Sequence, residues 1–372
     1  MKKIIFILNG FRLGGITKVN IAIANELNKD YDVAIYNTGK ENKSRFSVKT
    51  LVYQEKYHFV NLAHFLPRAI KKVSQHTRIP INPNRLELGK ISKLCQYIEK
   101  EQINVVVLNA AQITYATEIK KKFPDVVVIG WLHNNAEVYL NKFFRSYRKY
   151  FIAAVNTIDF LVCLTNTDQK SFEAYTDNAI CIYNPVTISV KNRSKLDNQI
   201  ISFVGRIDIE QKGIDYLCKI AQNIPNGWKI AVAGPGKKRN KKTFEKLQLK
   251  YQTDGKLEYM GSLKGKALKK HYRESSIFMM TSRWEGMPLV LMEAMSFGLP
   301  IIAFEQSGAN EVLDFGKSGV LVKKGSACDF THELAILTDN VEKRAYYSKA
   351  SLERVKVFKI KKIIEEWKQM ID

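Results

Sequence analysis

The sequence predicts an α/β protein with two domains, each built on a doubly wound parallel β-sheet. Short, wholly apolar segments recur along the chain, and amphipathic helical segments separate them. This alternation is typical of buried parallel strands joined by crossover helices. The 372 residues suffice for two domains of ordinary size, and a polar segment at residues 191–199 separates the two series of strands.

The first half of the chain begins with an apolar strand that leads into a glycine loop. The strand is predicted at Ile4–Leu8, Gly14 and Gly15 follow it, and an amphipathic helix is predicted to begin at Thr17, a plausible cap. This arrangement can bind phosphate at the helix N-terminus, or the glycines can simply turn the chain. In the domain of residues 1–190, residues 40–92 are predicted to be irregular, and further strands are predicted at Val33–Tyr36, Val105–Leu108, Val126–Ile129, Leu161–Leu164 and Ile180–Ile182.

The second series of strands defines a domain of residues 200–350. Its first strand is followed by a loop that carries Arg206 and Lys212, each beside a glycine. Residues 351–372 are predicted to form a C-terminal helix that packs back towards the N-terminal domain. The strands are predicted at Ile200–Val204, Ile230–Ala233, Leu257–Met260, Ile277–Met280, Ile301–Phe304 and Val320–Val322.

Two carboxylates flank a predicted buried helix that follows the strand at Ile277–Met280. Pro288 suits the first helical position, and Gly298 suits a C-terminal cap. Glu285 lies in the loop just ahead of the helix. Glu293 lies within it among apolar residues, where a carboxylate is costly unless a polar group meets it. The N–H groups at the start of this helix are suited to an anion.

Composition limits the class of protein. The net charge is +23 and is spread over both halves, whereas a nucleic-acid module more often concentrates its charge on one element. The basic clusters are either solvated lysines or contacts to an anionic membrane or a phosphate-bearing acceptor. No run of eighteen apolar residues is present, and five scattered cysteines without a C-x-x-C spacing indicate a reduced, cytoplasmic protein.

Several motifs together resemble a known family. They are Gly205-Arg206 with Lys212-Gly213, Gly234-x-Gly236, Ser282-x-x-Glu285-Gly286, the Glu285-x7-Glu293 spacing and, in the first half, the glycine loop, Trp131-Leu-His133-Asn134 and Asn184-Pro185. In this order they resemble the retaining GT-B glycosyltransferases of family 4, most strongly over residues 200–325. The resemblance implies two Rossmann-like domains that face a central cleft.

The resemblance also implies roles for single residues. Arg206 and Lys212 match the diphosphate of a nucleotide sugar, and an exposed salt bridge is the alternative for both. Glu285 would contact the donor sugar, and Glu293 would hold the ribose hydroxyls or, alternatively, pair with a lysine. His133 would face the sugar, or is a hydrogen-bonded loop histidine. The backbone around the nucleotide and sugar would come from Gly15, Gly205, Gly234, Gly286, Met287, Leu289 and Val290, with the Tyr259–Gly261 stretch beside the base.

The function that the resemblance implies is metal-independent transfer of a hexose or N-acetylhexosamine, with retention of configuration, from a nucleotide diphosphate sugar. UDP is the expected nucleotide, and the acceptor is a saccharide, a lipid-linked glycan or a protein in cell-surface glycan synthesis. No cofactor, metal or nucleic acid is expected, and the expected location is the cytoplasm, with peripheral contact to the inner membrane face left open. A sugar-nucleotide epimerase and a catalytically idle partner of another transferase are the alternatives.

Overall fold

The structure is a computed structural model that describes residues 1–11, 14–39, 48–54 and 82–372. The chain divides into two compact units. Unit 1 comprises Met1–Pro185 and Ile360–Asp372, and unit 2 comprises Val186–Lys359. Most of the segment predicted to be irregular, residues 40–47 and 55–81, lies outside the described residues.

The described residues of unit 1 contain a seven-stranded parallel sheet in the order β3-β2-β1-β4-β5-β6-β7. The strand order reverses between β1 and β4, which is where open α/β sheets bind ligands beyond the carboxyl ends of their strands. Strand β3 was not predicted from the sequence, and its residues are only partly buried. The strands are β1 (Lys3–Leu8), β2 (Asp32–Asn37), β3 (Leu51–Gln54), β4 (Val105–Asn109), β5 (Val127–Trp131), β6 (Phe160–Cys163) and β7 (Ala179–Cys181).

Helices connect these strands. The predicted cap at Thr17 is wrong, since the helix begins at Gly15 with Gly14 as its cap, and Thr17 is buried inside the first turn. The helices in the described part of residues 1–185 are α1 (Gly15–Leu27), α2 (Pro83–Leu86), α3 (Leu88–Glu101), α4 (Ala116–Lys122), α5 (Ala136–Val138), α6 (Arg148–Val155) and α7 (Asn166–Phe172).

Unit 2, which is described throughout, contains a six-stranded parallel sheet in the order β10-β9-β8-β11-β12-β13. Its strands are β8 (Ile200–Val204), β9 (Lys229–Ala233), β10 (Leu257–Gly261), β11 (Ile277–Met280), β12 (Ile301–Phe304) and β13 (Val320–Val322). Its helices are α8 (Ile209–Lys212), α9 (Ile214–Ala221), α10 (Lys238–Lys250), α11 (Gly265–Arg273), α12 (Leu289–Ser296), α13 (Ser307–Val312), α14 (Ala327–Asp339) and α15 (Val341–Arg354).

Helix α12 ends as its sequence predicts but begins one residue later than predicted. Pro288 is the N-terminal cap, with ψ of 104°, rather than the first helical residue. At the other end Gly298 has φ of 75°, in the left-handed region. The Gly298 N–H bonds the Met295 carbonyl and the Leu299 N–H bonds the Ala294 carbonyl, which is the Schellman pattern.

The last helix, α16 (Ile360–Ile371), belongs to unit 1. The Trp367 ring lies 5.9 Å from Phe6 and 4.8 Å from Trp131, measured between centroids. Ile5 and Ile7 point to the opposite face of β1, into the core formed with α3, α4 and α6. Helices therefore cover both faces of this sheet, as in a doubly wound fold. None of the helices in the described ranges has the length and apolar content needed to cross a bilayer.

We expect Trp367→Ala to destabilise unit 1 by ~3–5 kcal/mol, because it leaves a cavity between Phe6 and Trp131. Urea unfolding followed by circular dichroism measures the effect. Lys361→Ala, an exposed position on the same helix, is the control and should leave the midpoint unchanged. Equal midpoints for the two variants would show that α16 adds little to this core.

Candidate active site

The structure brings two predicted charged residues of unit 2 into direct contact. The Lys212 ammonium donates a hydrogen bond to the Glu285 carboxylate, with 2.5 Å between Nζ and Oε1. The two side chains are only 13% and 11% exposed, so solvent screens this ion pair weakly. Removing one partner would leave an uncompensated charge in a largely dry site, which is more costly than the loss of a surface ion pair.

Lys212 is positioned by a turn that requires glycine. Lys212 ends α8, and Gly213 follows with φ of 62°. A Cβ at Gly213 would lie 2.1 Å from the carbonyl oxygen of Thr281, which directly follows β11. The Thr281 hydroxyl donates to the Lys212 carbonyl over 2.9 Å. This loop is therefore held against the carboxyl end of β11, the strand that leads to Glu285.

Arg206 stays at the surface, with 56% of its side chain exposed. Its Nη2 donates to Gln211 Oε1 over 2.6 Å, and its Nη1 lies 3.7 Å from Asp208 Oδ2. These contacts match the exposed ion pair that was the alternative interpretation of Arg206. Since exposed pairs of this kind contribute little stability, the guanidinium can turn towards an anion at low cost.

Gly205 and Gly234 bring the ends of β8 and β9 into backbone contact. The Gly205 N–H donates to the Ala233 carbonyl, and a Cβ at Gly234 would lie 1.7 Å from the Gly205 carbonyl oxygen. Tyr259, the central residue of β10, donates its hydroxyl to the Gly234 carbonyl over 2.8 Å. These contacts join the ends of β8 and β9 to each other and to β10.

The first N–H groups of α12 have no carbonyl acceptor within the helix. Leu289 and Val290 are its first two residues, and both are partly exposed. Gly286 and Met287 precede them and are buried. The first turn contains no acidic residue, so the positive end of this helix is not neutralised from within.

Glu293 is buried inside α12 and is only 4% exposed. The Tyr272 hydroxyl donates to Glu293 Oε2 over 3.0 Å. Burial, together with the Glu293 carboxylate, raises the pKa of Tyr272 well above its usual value. A tyrosine hydroxyl is therefore one of the groups that contact this buried carboxylate.

Gln306, which was not predicted as a site residue, supports the loop that carries Glu285. Gln306 Oε1 accepts hydrogen bonds from the Glu285 N–H, over 3.2 Å, and from the Gly308 N–H, over 3.0 Å. Its Nε2 must therefore point the other way, and this buried donor has no partner among the described residues. The buried hydroxyls of Ser282 and Ser307 also lack a partner there. A buried polar group without a partner is costly, and a bound water molecule or a polar ligand can supply the missing hydrogen bond.

Gly15 in unit 1 is the first residue of α1 and is exposed. Its cap, Gly14, has extended backbone and no side chain to bond the free N–H groups. The first turn again contains no acidic residue, so this helix start also retains its positive end.

His133 follows β5 in unit 1 and contacts Asn109 at the end of β4. The distance between His133 Nε2 and Asn109 Oδ1 is 2.5 Å. The imidazole also packs at 4.6 Å from the Trp131 ring, and the His133 backbone N–H donates to the Tyr139 hydroxyl. Loss of solvent lowers the pKa of His133 to about 3, so the ring is neutral near pH 7.

One sequence signal could have found the missed polar residues. Asn109 directly follows the strand predicted at Val105–Leu108, and Gln306 comes shortly after the strand predicted at Ile301–Phe304. Polar residues at the carboxyl ends of buried parallel strands are candidate ligand contacts. Tyr272 carries no such signal, because it lies within α11.

A family model supports the resemblance carried by the motifs. Residues 187–354 match the model described as glycosyl transferases group 1. An uncharacterised glycosyltransferase of Haemophilus influenzae is 30% identical to this chain over the full length of both proteins. An α-1,4-N-acetyl-D-galactosaminyltransferase of Campylobacter jejuni is 24% identical over 100% of this chain and 98% of its own length.

Solved structures show the same fold. HepE of Anabaena, in complex with UDP, has a TM-score of 0.78 with 15% identity, over 100% of this chain and 99% of its own. TarM, known from S. aureus, has a TM-score of 0.77 with 16% identity at the same coverage. These likenesses establish the GT-B fold. The full-length relative and the family model together show that the chain is an enzyme of the group 1 glycosyltransferases.

Proposed function

We propose that this enzyme transfers a hexose or N-acetylhexosamine from a UDP sugar to a glycan, lipid-linked or protein acceptor, with retention of configuration and without a metal. The observation that carries the proposal is the nearly dry Lys212–Glu285 pair. Unpartnered polar groups of Ser282, Gln306 and Ser307 accompany it. Such a site is suited to a ligand that carries both hydroxyl groups and negative charge.

The diphosphate of the donor meets positive groups in unit 2. Lys212 supplies a point charge, and Arg206 supplies a planar fork that suits phosphate oxygens. The free N–H groups of Leu289 and Val290 add the positive end of α12. Together these groups stabilise the charge that develops on the departing diphosphate, which is a role that a metal ion has in other transferases.

The remaining contacts orient the nucleoside and the sugar. Glu293 accepts from the ribose hydroxyls, and Gly205 and Gly234 let the backbone approach the nucleotide. Glu285 accepts from a hydroxyl of the transferred sugar, with the peptide groups of Gly286 and Met287 beside it. In unit 1, Gly15 offers backbone N–H groups and His133 a neutral imidazole.

The reaction breaks the bond between the anomeric carbon and the diphosphate oxygen. An acceptor oxygen forms the new bond on the same face of the sugar, and its proton passes to the departing phosphate. Relatives support the choice of substrates: solved structures of HepE contain UDP, UDP with glucose and UDP-glucose. The name of the C. jejuni relative specifies a PP-undecaprenol-linked acceptor.

We expect Lys212→Ala, Arg206→Ala and Glu285→Gln each to lower kcat/KM for sugar transfer by ~100-fold or more, since each removes a contact to donor charge or sugar. Initial rates with a UDP sugar and acceptor measure this. Matched controls are Lys219→Ala and Glu245→Ala, both exposed in unit 2, and these should keep wild-type rates. Near-wild-type rates in the three site variants would contradict the assignment.

A loss of folding must be separated from a loss of chemistry in this test. Removing one member of the Lys212–Glu285 pair can itself destabilise the protein. The double variant Lys212→Met with Glu285→Gln removes both charges and should recover stability in urea unfolding. It should remain inactive, which attributes the missing activity to the lost contacts.

Transfer should persist in excess EDTA, and the glycosidic product should keep the anomeric configuration of the donor. Incubation with a panel of UDP sugars and acceptors, read by NMR, tests both points. A requirement for added divalent metal, or an inverted product, would refute this mechanism. Isomerised UDP sugar formed without acceptor would favour the epimerase alternative.

We further propose that the enzyme works at an anionic membrane surface, with α10 as the contact. The exposed face of this helix carries Lys238, Arg239, Lys242 and Lys246, with one acidic residue, Glu245. Leu249 lies on the same face and is 72% exposed. A basic face with an exposed leucine suits a surface of anionic lipid headgroups, and each basic residue adds about 1 kcal/mol near such a surface.

Vesicles of phosphatidylglycerol should bind the protein, and replacing Lys238, Arg239, Lys242 and Lys246 of α10 by glutamine should weaken binding at least ~10-fold. Co-sedimentation measures this, with phosphatidylcholine vesicles as the uncharged comparison. An equal loss of binding in a control with the same change of charge would refute a specific role for α10. That control replaces four lysines at α11 by glutamine: Lys264, Lys266, Lys269 and Lys270.

A further inference from the structure

We propose that Asn109, held by Asn20, is a positioning residue that fixes His133 as the tautomer protonated on Nε2. Its Nδ1 is then a hydrogen-bond acceptor for a hydroxyl of the transferred sugar. The recognition of the sugar rests on the proposed function, whereas the tautomer follows from geometry within unit 1.

The orientation of the Asn109 amide is set by a backbone carbonyl. Asn109 Nδ2 donates to the Ile7 carbonyl over 3.0 Å and to Asn20 Oδ1 over 2.9 Å. A backbone carbonyl can only accept, so the atom facing Ile7 must be the NH2 group. Asn109 Oδ1 is therefore the atom that faces His133.

A second carbonyl sets the Asn20 amide in the same way. Asn20 Nδ2 donates to the Ile16 carbonyl over 2.9 Å and to Asn109 Oδ1 over 3.0 Å. The two asparagines thus exchange a reciprocal pair of hydrogen bonds, and each is anchored to a different segment of backbone. Both are fully or almost fully buried, at 0% exposed for Asn20 and 3% for Asn109. Rotating either amide by half a turn would place its oxygen against a backbone carbonyl oxygen and against the oxygen of the other amide. It would also place its NH2 group against the NH2 group of the other amide.

The fixed amide determines which ring nitrogen of His133 carries the proton. Nε2 lies 2.5 Å from Asn109 Oδ1, which can only accept, so Nε2 must be the donor. A neutral imidazole has one N–H, and the other nitrogen then carries a lone pair. The low pKa that desolvation imposes on His133 keeps the ring in this neutral form.

The side chains that contact His133 within the described residues are uncharged. Trp131 packs against the ring, and Tyr139 accepts from the backbone N–H. Burial raises the pKa of Tyr139, so its hydroxyl is also neutral. No described residue bonds His133 Nδ1, which leaves that nitrogen to a ligand hydroxyl.

Long-range 15N–1H NMR of the full chain labelled at histidine tests the tautomer near pH 7. We expect His133 to show protonated Nε2 and unprotonated Nδ1. His271, which contacts Ser202 in unit 2, is the internal reference. A wild-type spectrum with protonated Nδ1, or with both nitrogens protonated, would overturn the inference.

Two substitutions at Asn109 test positioning. Asn109→Leu removes the acceptor for His133 Nε2, so the tautomer protonated on Nδ1 should become populated. We expect kcat/KM to fall by ~10–100-fold while the affinity for UDP changes little. Asn109→Asp keeps an acceptor but adds charge, which raises the pKa of His133. Its transfer rate should therefore fall as pH decreases through the neutral range, where the wild-type rate should not. Asn156→Leu, exposed in unit 1, is the control and should retain the wild-type tautomer and rate.

The outcomes separate this inference from the proposed function. An Asn109→Leu protein with altered tautomer but unchanged transfer refutes a role in sugar binding, while the transferase activity stands. A wild-type protein that transfers no sugar from any donor refutes the proposed function, and the spectrum still decides the tautomer. If Asn109→Leu does not fold, the wild-type spectrum and the pH profile of Asn109→Asp decide.

Discussion

The Lys212–Glu285 ion pair is the interaction on which the rest of the unit 2 site depends. Its 2.5 Å contact is maintained with little solvent around it. The backbone of both partners is held in place. On the lysine side, Gly213 lies close against the carbonyl of Thr281, and on the glutamate side, the Gln306 side chain accepts a hydrogen bond from the Glu285 N–H. A pair with so little solvent around it gains little net stability over an apolar substitute, so a contribution to folding does not by itself explain its presence.

The two units carry different electrostatics. The unit 2 site combines an exposed arginine, Arg206, and a largely buried lysine, Lys212, with two carboxylates, Glu285 in the loop before α12 and Glu293 within α12. Around His133 in unit 1 the polar groups are neutral: two reciprocal amides, an indole and a tyrosine hydroxyl. Charged groups suit a nucleotide diphosphate, and neutral donors and acceptors suit sugar hydroxyls, whose orientation depends on hydrogen-bond direction rather than on charge.

Much of the fold was predictable because buried parallel strands must be apolar on both faces. Of the thirteen strands in the described residues, twelve overlap a predicted strand. The exception is β3, which was not predicted because its residues are only partly buried. The Lys212–Glu285 contact was not explicit in the sequence, although both residues were predicted for the site. The partners of Glu293, Glu285 and His133 come from distant chain segments, as Asn20 and Asn109 do, at a separation of 89 residues. A local sequence pattern cannot predict such pairs. A polar residue on a helix or at a strand end has the same local sequence signal whether or not a distant residue forms a hydrogen bond with it.

The protonation states also bear on which group accepts the proton of the attacking hydroxyl. His133, with a pKa of about 3, is a weak base, and its one acidic N–H is engaged by Asn109. Glu285 is engaged by Lys212, so using its carboxylate as a base would weaken the ion pair that holds the site. In the proposed retaining reaction, the departing phosphate gains negative charge as its bond to the sugar breaks, and it lies on the face from which the product would form. Proton transfer to this leaving group would require no protein base, and the contribution proposed for the protein is to hold charge and hydroxyls in place while the exchange occurs.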